Sequence, residues 1–187
     1  MSMSGDNLRN QFLIAMPGLG DGHFEKSVSI LCEHGSEGAL GLVINRPTDL
    51  SLRAMLEHLD LDCDQLRRDD MVYWGGPVQT ERGFVLHSPV GNWDSSIKLS
   101  DTLAVTTSRD ILQAISRGQG PQKYQIMLGY AGWDAGQLEQ EILDNTWLNS
   151  AARETIIFET PVEDRWAAAT RLLGIDPTSL SEHAGHA

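Results

Sequence analysis

Cysteine is almost missing from this sequence, with only Cys32 and Cys63 in 187 residues. No C-x-x-C and no ladder of spacings staples the chain, so a reducing compartment is expected. Cys32 closes the apolar run from Ser27 to Leu31, where a thiol acts as a small hydrophobe. Cys63 sits between Asp62 and Asp64, whose charges disfavour a thiolate. Long apolar runs are lacking too. Phe12 to Met16 is far too short to cross a bilayer, and Met1 to Asn7 has neither the basic start nor the apolar stretch of a signal peptide. The expectation is a soluble cytoplasmic protein. Positive charge is scarce: 14 Lys plus Arg stand against 26 Asp plus Glu, a net charge of −12. The adjacent basic residues Arg67 and Arg68 run straight into Asp69 and Asp70. A duplex-binding surface needs cations against phosphate, so direct nucleic-acid binding is disfavoured.

What is present is ordinary globular composition, 41% apolar and 21% charged, in a length that fits one domain over 1–187. Residues 1–11 and 181–187 read as loose termini. Short apolar runs between turn signals predict strands over Phe12–Met16, Val28–Cys32, Leu40–Ile44, Met71–Trp74, Gly83–His87, Leu103–Thr107, Tyr124–Leu128 and Ile156–Phe158. Leu52, Met55, Leu56 and Leu59 recur at helical spacing, as do Ile111, Leu112 and Ile115 after Ser108. Asp134 with Gln137 resembles a capping box, and Thr160-Pro161-Val162-Glu163 carries start signals for a last helix running to Leu173. The short connection Glu33–Gly38 favours an antiparallel pair. Interspersed helices then make the fold α+β rather than a regular βαβ alternation.

Catalytic signatures are few. Gly18-Leu19-Gly20-Asp21-Gly22 lacks the third glycine of a dinucleotide fingerprint, where His23 stands, and reads as a turn. His34-Gly35-Ser36-Glu37-Gly38 is off by one position from a nucleophile elbow, and no Gly-Lys-Ser/Thr makes a P-loop. His183 and His186 are the one close histidine pair, in a tail expected to be solvated, so no metal and no cofactor is expected. His58 reads as surface. His34 and His87 each end a predicted strand, where an imidazole serves either as a general acid or base or as a hydrogen-bonding strut.

Seven segments occur in register: Phe12–Pro17, Gly41–Pro47, Gly75–Val78, Arg82–His87, Leu128–Trp133, Gly136–Glu139 and Asn145–Leu148. Together they closely resemble the AlgH/YqgE family of bacterial proteins. The resemblance implies a cytoplasmic α+β domain with a compact, largely antiparallel, partly barrel-like sheet and about four helices. It implies no settled reaction. The family's name carries a link to alginate biosynthesis described as transcriptional regulation, which the charge balance makes indirect.

Read physically, Asn45-Arg46-Pro47 and Arg82 offer guanidinium groups, Gly75 and Gly76 offer open backbone, and Tyr130 and Trp133 offer an aromatic wall. With Glu33, His34 and His87 these residues are the candidate site for a small anionic ligand or a protein partner. The opposing expectation is that the glycines serve tight turns, Arg46 and Arg82 pair with Glu33 or Glu81, and Trp133 is core. The leading function is a regulatory or binding module. The alternative is a hydrolase or nucleotide-handling enzyme with His34 or His87 as base and the arginines holding an anion.

Overall fold

Runs of buried apolar residues in the strands explain the architecture. The computed structural model describes residues 7–17 and 25–179. In chain order these form β1 (Gln11–Ala15), β2 (Val28–Gly35), β3 (Gly38–Val43), β4 (Pro47–Ser51), α1 (Leu52–His58), β5 (Met71–Trp74), β6 (Val78–Ser88), β7 (Ser96–Lys98) and β8 (Ala104–Thr106). There follow α2 (Arg109–Ser116), β9 (Lys123–Asp134), α3 (Gln137–Leu143), β10 (Trp147–Ala151), α4 (Glu154–Phe158), a 3-10 turn (Val162–Asp164) and α5 (Arg165–Arg171). The class is α+β and the pairing largely antiparallel, with β5 and β9 the parallel pair among the described residues.

Two compact units divide these elements. The first holds the described residues up to Asn45 and from Ala131 onward, where strands β10, β1, β2, β3 and the end of β9 lie in that order. Phe12, Ile14, Val28 and Ile30 are fully buried, and so is Ile157 of α4. Trp166 of α5 donates its indole N–H to the Ala15 carbonyl at 2.9 Å, and Arg165, buried beside it, donates to the Ile44 carbonyl at 2.5 Å. Leu13, Ala15 and Leu31 pack instead with Trp133, Leu138 and Trp147. The second unit, Arg46–Tyr130, orders its strands β4-β5-β9-β6-β8-β7. Leu52, Met55 and Leu56 of α1 join Val72, Val85, Ile111, Ile115 and Ile126 in its core.

Two expectations need correction. Ile156–Phe158 is helical, not a strand: Ile156 and Ile157 N–H both bond the Arg153 carbonyl. A three-residue apolar run has too few positions to reveal its period. The last helix also starts later than its signals, since Thr160 spends its hydroxyl on the Thr155 carbonyl and a 3-10 turn precedes Arg165. The Gly18–Gly22 turn with His23 and the His183–His186 pair lie outside the described residues.

Candidate functional site

Glu33, His34, Asn45 and Trp133 belong to the first unit, and there most of them are committed to the fold. Leu8 N–H donates to His34 Nδ1 at 2.8 Å, so the ring proton is on Nε2, which donates to Glu139 Oε2 at 2.7 Å. The Glu139 carboxyl is held below its ordinary range, by its own backbone N–H first and, against the opposing effect of burial, by His34. Asn45 mimics a strand peptide: its Oδ1 accepts from Val28 N–H and its Nδ2 donates to the Lys26 carbonyl, both at 3.0 Å. Trp133 is buried, and its indole N–H donates to Glu141 Oε1 at 3.0 Å. Glu33 is exposed at a register shift in β2.

The remaining candidates share the second unit. Gly75 and Gly76 are buried rather than open to a ligand. A Cβ on Gly75 would strike the Gly129 carbonyl oxygen and sit 2.9 Å from Met127 Cβ, so the missing side chain at Gly75 admits backbone, not substrate. Arg46 is half-buried, and its carbonyl accepts from Trp74 N–H at 2.7 Å.

Arg82 has a different setting. Val78 stands opposite Tyr130 and Gly83 opposite Leu128, so Gln79–Arg82 on β6 bulge out against Gly129 alone. Gln79 takes a left-handed φ of 47° to start this bulge. Strand parity puts Arg82 and Phe84 on one face, with the guanidinium carbon 5.0 Å from the Phe84 ring centroid. Phe84 meets Tyr130 edge to face at 5.9 Å. Arg82 is exposed, and among the described residues no carboxylate lies within ion-pair distance of it. The structure therefore brings Gly75, Gly76, Arg82 and Tyr130 together around Gly129. Phe84 was missed by sequence reasoning, although its i+2 spacing from Arg82 carries the signal.

His87 lies five residues further along β6, about 16 Å of strand from Arg82. It is fully buried, with Nδ1 3.0 Å from the Pro89 carbonyl oxygen and Nε2 2.7 Å from Thr106 Oγ1. Burial pushes its pKa down, against the smaller opposing effect of the Pro89 bond. The unfolded chain then takes up a proton near pH 6.5 that the folded chain refuses. Stability is expected to fall as pH drops below about 6.5, by at most about 1.4 kcal/mol per pH unit from this group. Urea unfolding at pH 7.5 and 5.5 measures it, and the loss assigned to this side chain disappears in His87→Gln.

Among the described residues no helix is long and apolar enough to cross a membrane. The model of the AlgH-like family matches residues 12–178. A UPF0301 protein of Thioalkalivibrio sulfidiphilus is 54% identical, over 98% of this chain and 99% of its own. One from Bordetella petrii is 58% identical, over 95% of this chain and 89% of its own. The solution structure of the AlgH protein from Pseudomonas aeruginosa superposes with a TM-score of 0.80 at 47% identity, covering 94% of this chain and 93% of that one. A crystal structure of a Corynebacterium diphtheriae protein, at a TM-score of 0.72 and 18% identity over 88% of this chain and 86% of that one, shares the fold. The bulge around Arg82, the glycine contact beneath it and the tryptophans of the first unit are thus set in a chain that belongs to the AlgH-like family.

Proposed function

We propose that this protein is a binding module whose recognition group is Arg82, taking a small anion or a single carboxylate of a protein partner. The observation that carries this is an exposed guanidinium laid over Phe84, in a bulge pinned by Gly129, with no carboxylate beside it among the described residues. Stacking fixes the plane of the fork and leaves its edge N–H groups to bond a carboxylate or phosphate. Tyr130, edge-on to Phe84, steadies the platform. The net charge of −12 opposes extended polyanions, which favours a ligand of one or two charges and disfavours DNA.

Any effect on transcription, which the family resemblance carries with it, is on this reading indirect. We assign the protein to the cytoplasm; the two buried, unpaired cysteines support this. Burial first, and neighbouring Glu33 second, push the Cys32 thiol up, so it is inert.

Isothermal titration with inorganic phosphate, and with a short peptide bearing one glutamate, tests the reading. A charge-assisted contact contributes about 1.5–3 kcal/mol. Arg82→Ala is therefore expected to weaken binding of the accepted probe by about 10- to 100-fold, and Arg82→Glu to abolish it. Equal affinity in wild type and Arg82→Ala, or no binding of either probe, would overturn the assignment.

A further inference from the structure

Register in the second unit brings three polar side chains from three strands onto one face. Thr106 of β8 stands opposite Ser96 of β7, while His87 of β6 stands opposite Ala104, two residues from Thr106. The hydrogen-bond directions follow from elimination. The Pro89 carbonyl oxygen only accepts, so His87 Nδ1 carries the ring proton. Nε2 is left with a lone pair, and Thr106 Oγ1 at 2.7 Å must donate to it. With that proton committed, Thr106 Oγ1 accepts from Ser96 Oγ at 2.6 Å. Every hydroxyl proton points inward, from the exposed Ser96 to the fully buried Thr106 and His87. Ser96 Oγ is thereby left with lone pairs at the outer end.

We propose that Ser96 is a nucleophilic hydroxyl that accepts acyl groups from activated carboxylic esters, its proton drawn through Thr106 to His87. The arrangement follows the general logic of nucleophile, base and orienting group, with one hydroxyl inserted between nucleophile and base and a carbonyl as the orienter. Ser96 Oγ bonds the ester carbonyl carbon as the bond to the alcohol oxygen breaks. The Ser96 proton moves to Thr106 Oγ1 while the Thr106 proton moves to His87 Nε2. The departing alkoxide takes a proton from solvent water, and the hydroxide so formed removes the extra proton held by Thr106 and His87, leaving acyl-Ser96 and free alcohol. Burial disfavours the charged imidazole, so the ring rests neutral with Nε2 facing Thr106, a weaker base than a free imidazole that holds the relayed proton only transiently. Thr106 and His87 are positioning residues that act through Ser96. This site is independent of Arg82, so either proposal stands or falls alone.

The test treats the full chain with p-nitrophenyl acetate, follows intact mass and maps the acetylated peptide. One acetyl group on Ser96 is expected, lost in Ser96→Ala. A positioned base contributes about 10²–10⁴-fold. Thr106→Val, which keeps the shape but removes the hydroxyl, is therefore expected to slow acetylation by about 100-fold or more. Thr106→Ser restores the hydroxyl and with it the rate, which loss of packing alone would not predict. Thermal melts confirm that both variants fold. No adduct, an adduct elsewhere only, or a wild-type rate in Thr106→Val each overturn the proposal.

Discussion

Gly129→Ala is expected to lower stability by roughly 2–5 kcal/mol, a large part of the total for a domain. Two costs combine. The backbone at Gly129 has a φ of 80°, which charges any residue with a Cβ about 1–2 kcal/mol. The new methyl would also strike the Gly76 carbonyl oxygen and lie 3.2 Å from both Thr80 Cα and the Val78 carbonyl oxygen, an overpacking cost of about 1–3 kcal/mol. Gly136 supplies the control, since its φ is 79° and a methyl added there would meet nothing within 4 Å. Gly136→Ala is expected to show the backbone cost alone. Urea unfolding of the two variants separates strain from clash, and equal losses would contradict the interlock of Gly75, Gly76 and Gly129.

Glu141→Ala carries the second large effect, about 3 kcal/mol. One carboxylate fastens α3 to both neighbouring strands: Oε1 accepts from Trp133 at 3.0 Å and Trp147 at 2.9 Å, and Oε2 accepts from Gln137 at 2.9 Å. The two indoles are buried and meet edge to face at 5.9 Å. Removing the acceptor takes the carboxylate partner from two buried N–H groups, at about 1–3 kcal/mol each, partly relieved by relaxation. Glu141→Gln keeps a carbonyl oxygen for the indoles and is expected to cost less than half as much. Chemical unfolding monitored by tryptophan fluorescence reads both, and identical losses would show that the indoles do not depend on Glu141.

That clamp also explains why some of the sequence was legible as motif but not as function. Gln137 accepts from Asp134 N–H at 2.9 Å, Leu138 is buried, and Glu139 receives His34, so Gly136–Glu139 is a fold-building segment throughout. Asn45 likewise joins β2 rather than a ligand. The apolar strands β1, β2 and β3 were readable because burial concentrates Phe, Leu, Ile and Val in them, and β5 because Val72, Tyr73 and Trp74 favour strands. β4, β7 and β10 were not, because Pro47 and Asp49, Ser96 and Lys98, and Asn149 and Ser150 give them the polar character of exposed or half-buried strands. Arg82 was recognisable as a cation, but its bulge depends on four residues facing one across β6 and β9, which only pairing reveals. The chain from Ser96 through Thr106 to His87 joins residues 10 and 19 apart in sequence, and register alone brings them into line.

The central claim is that the bulge at Gln79–Arg82 is a recognition surface. Its most direct test is a two-dimensional amide NMR titration of the full chain with inorganic phosphate and the single-glutamate peptide, in wild type and Arg82→Ala. The account predicts saturable shifts confined to Gln79–Phe84 and the facing Gly129–Tyr130, absent in the variant. Shifts centred elsewhere, or unchanged by loss of Arg82, would contradict it.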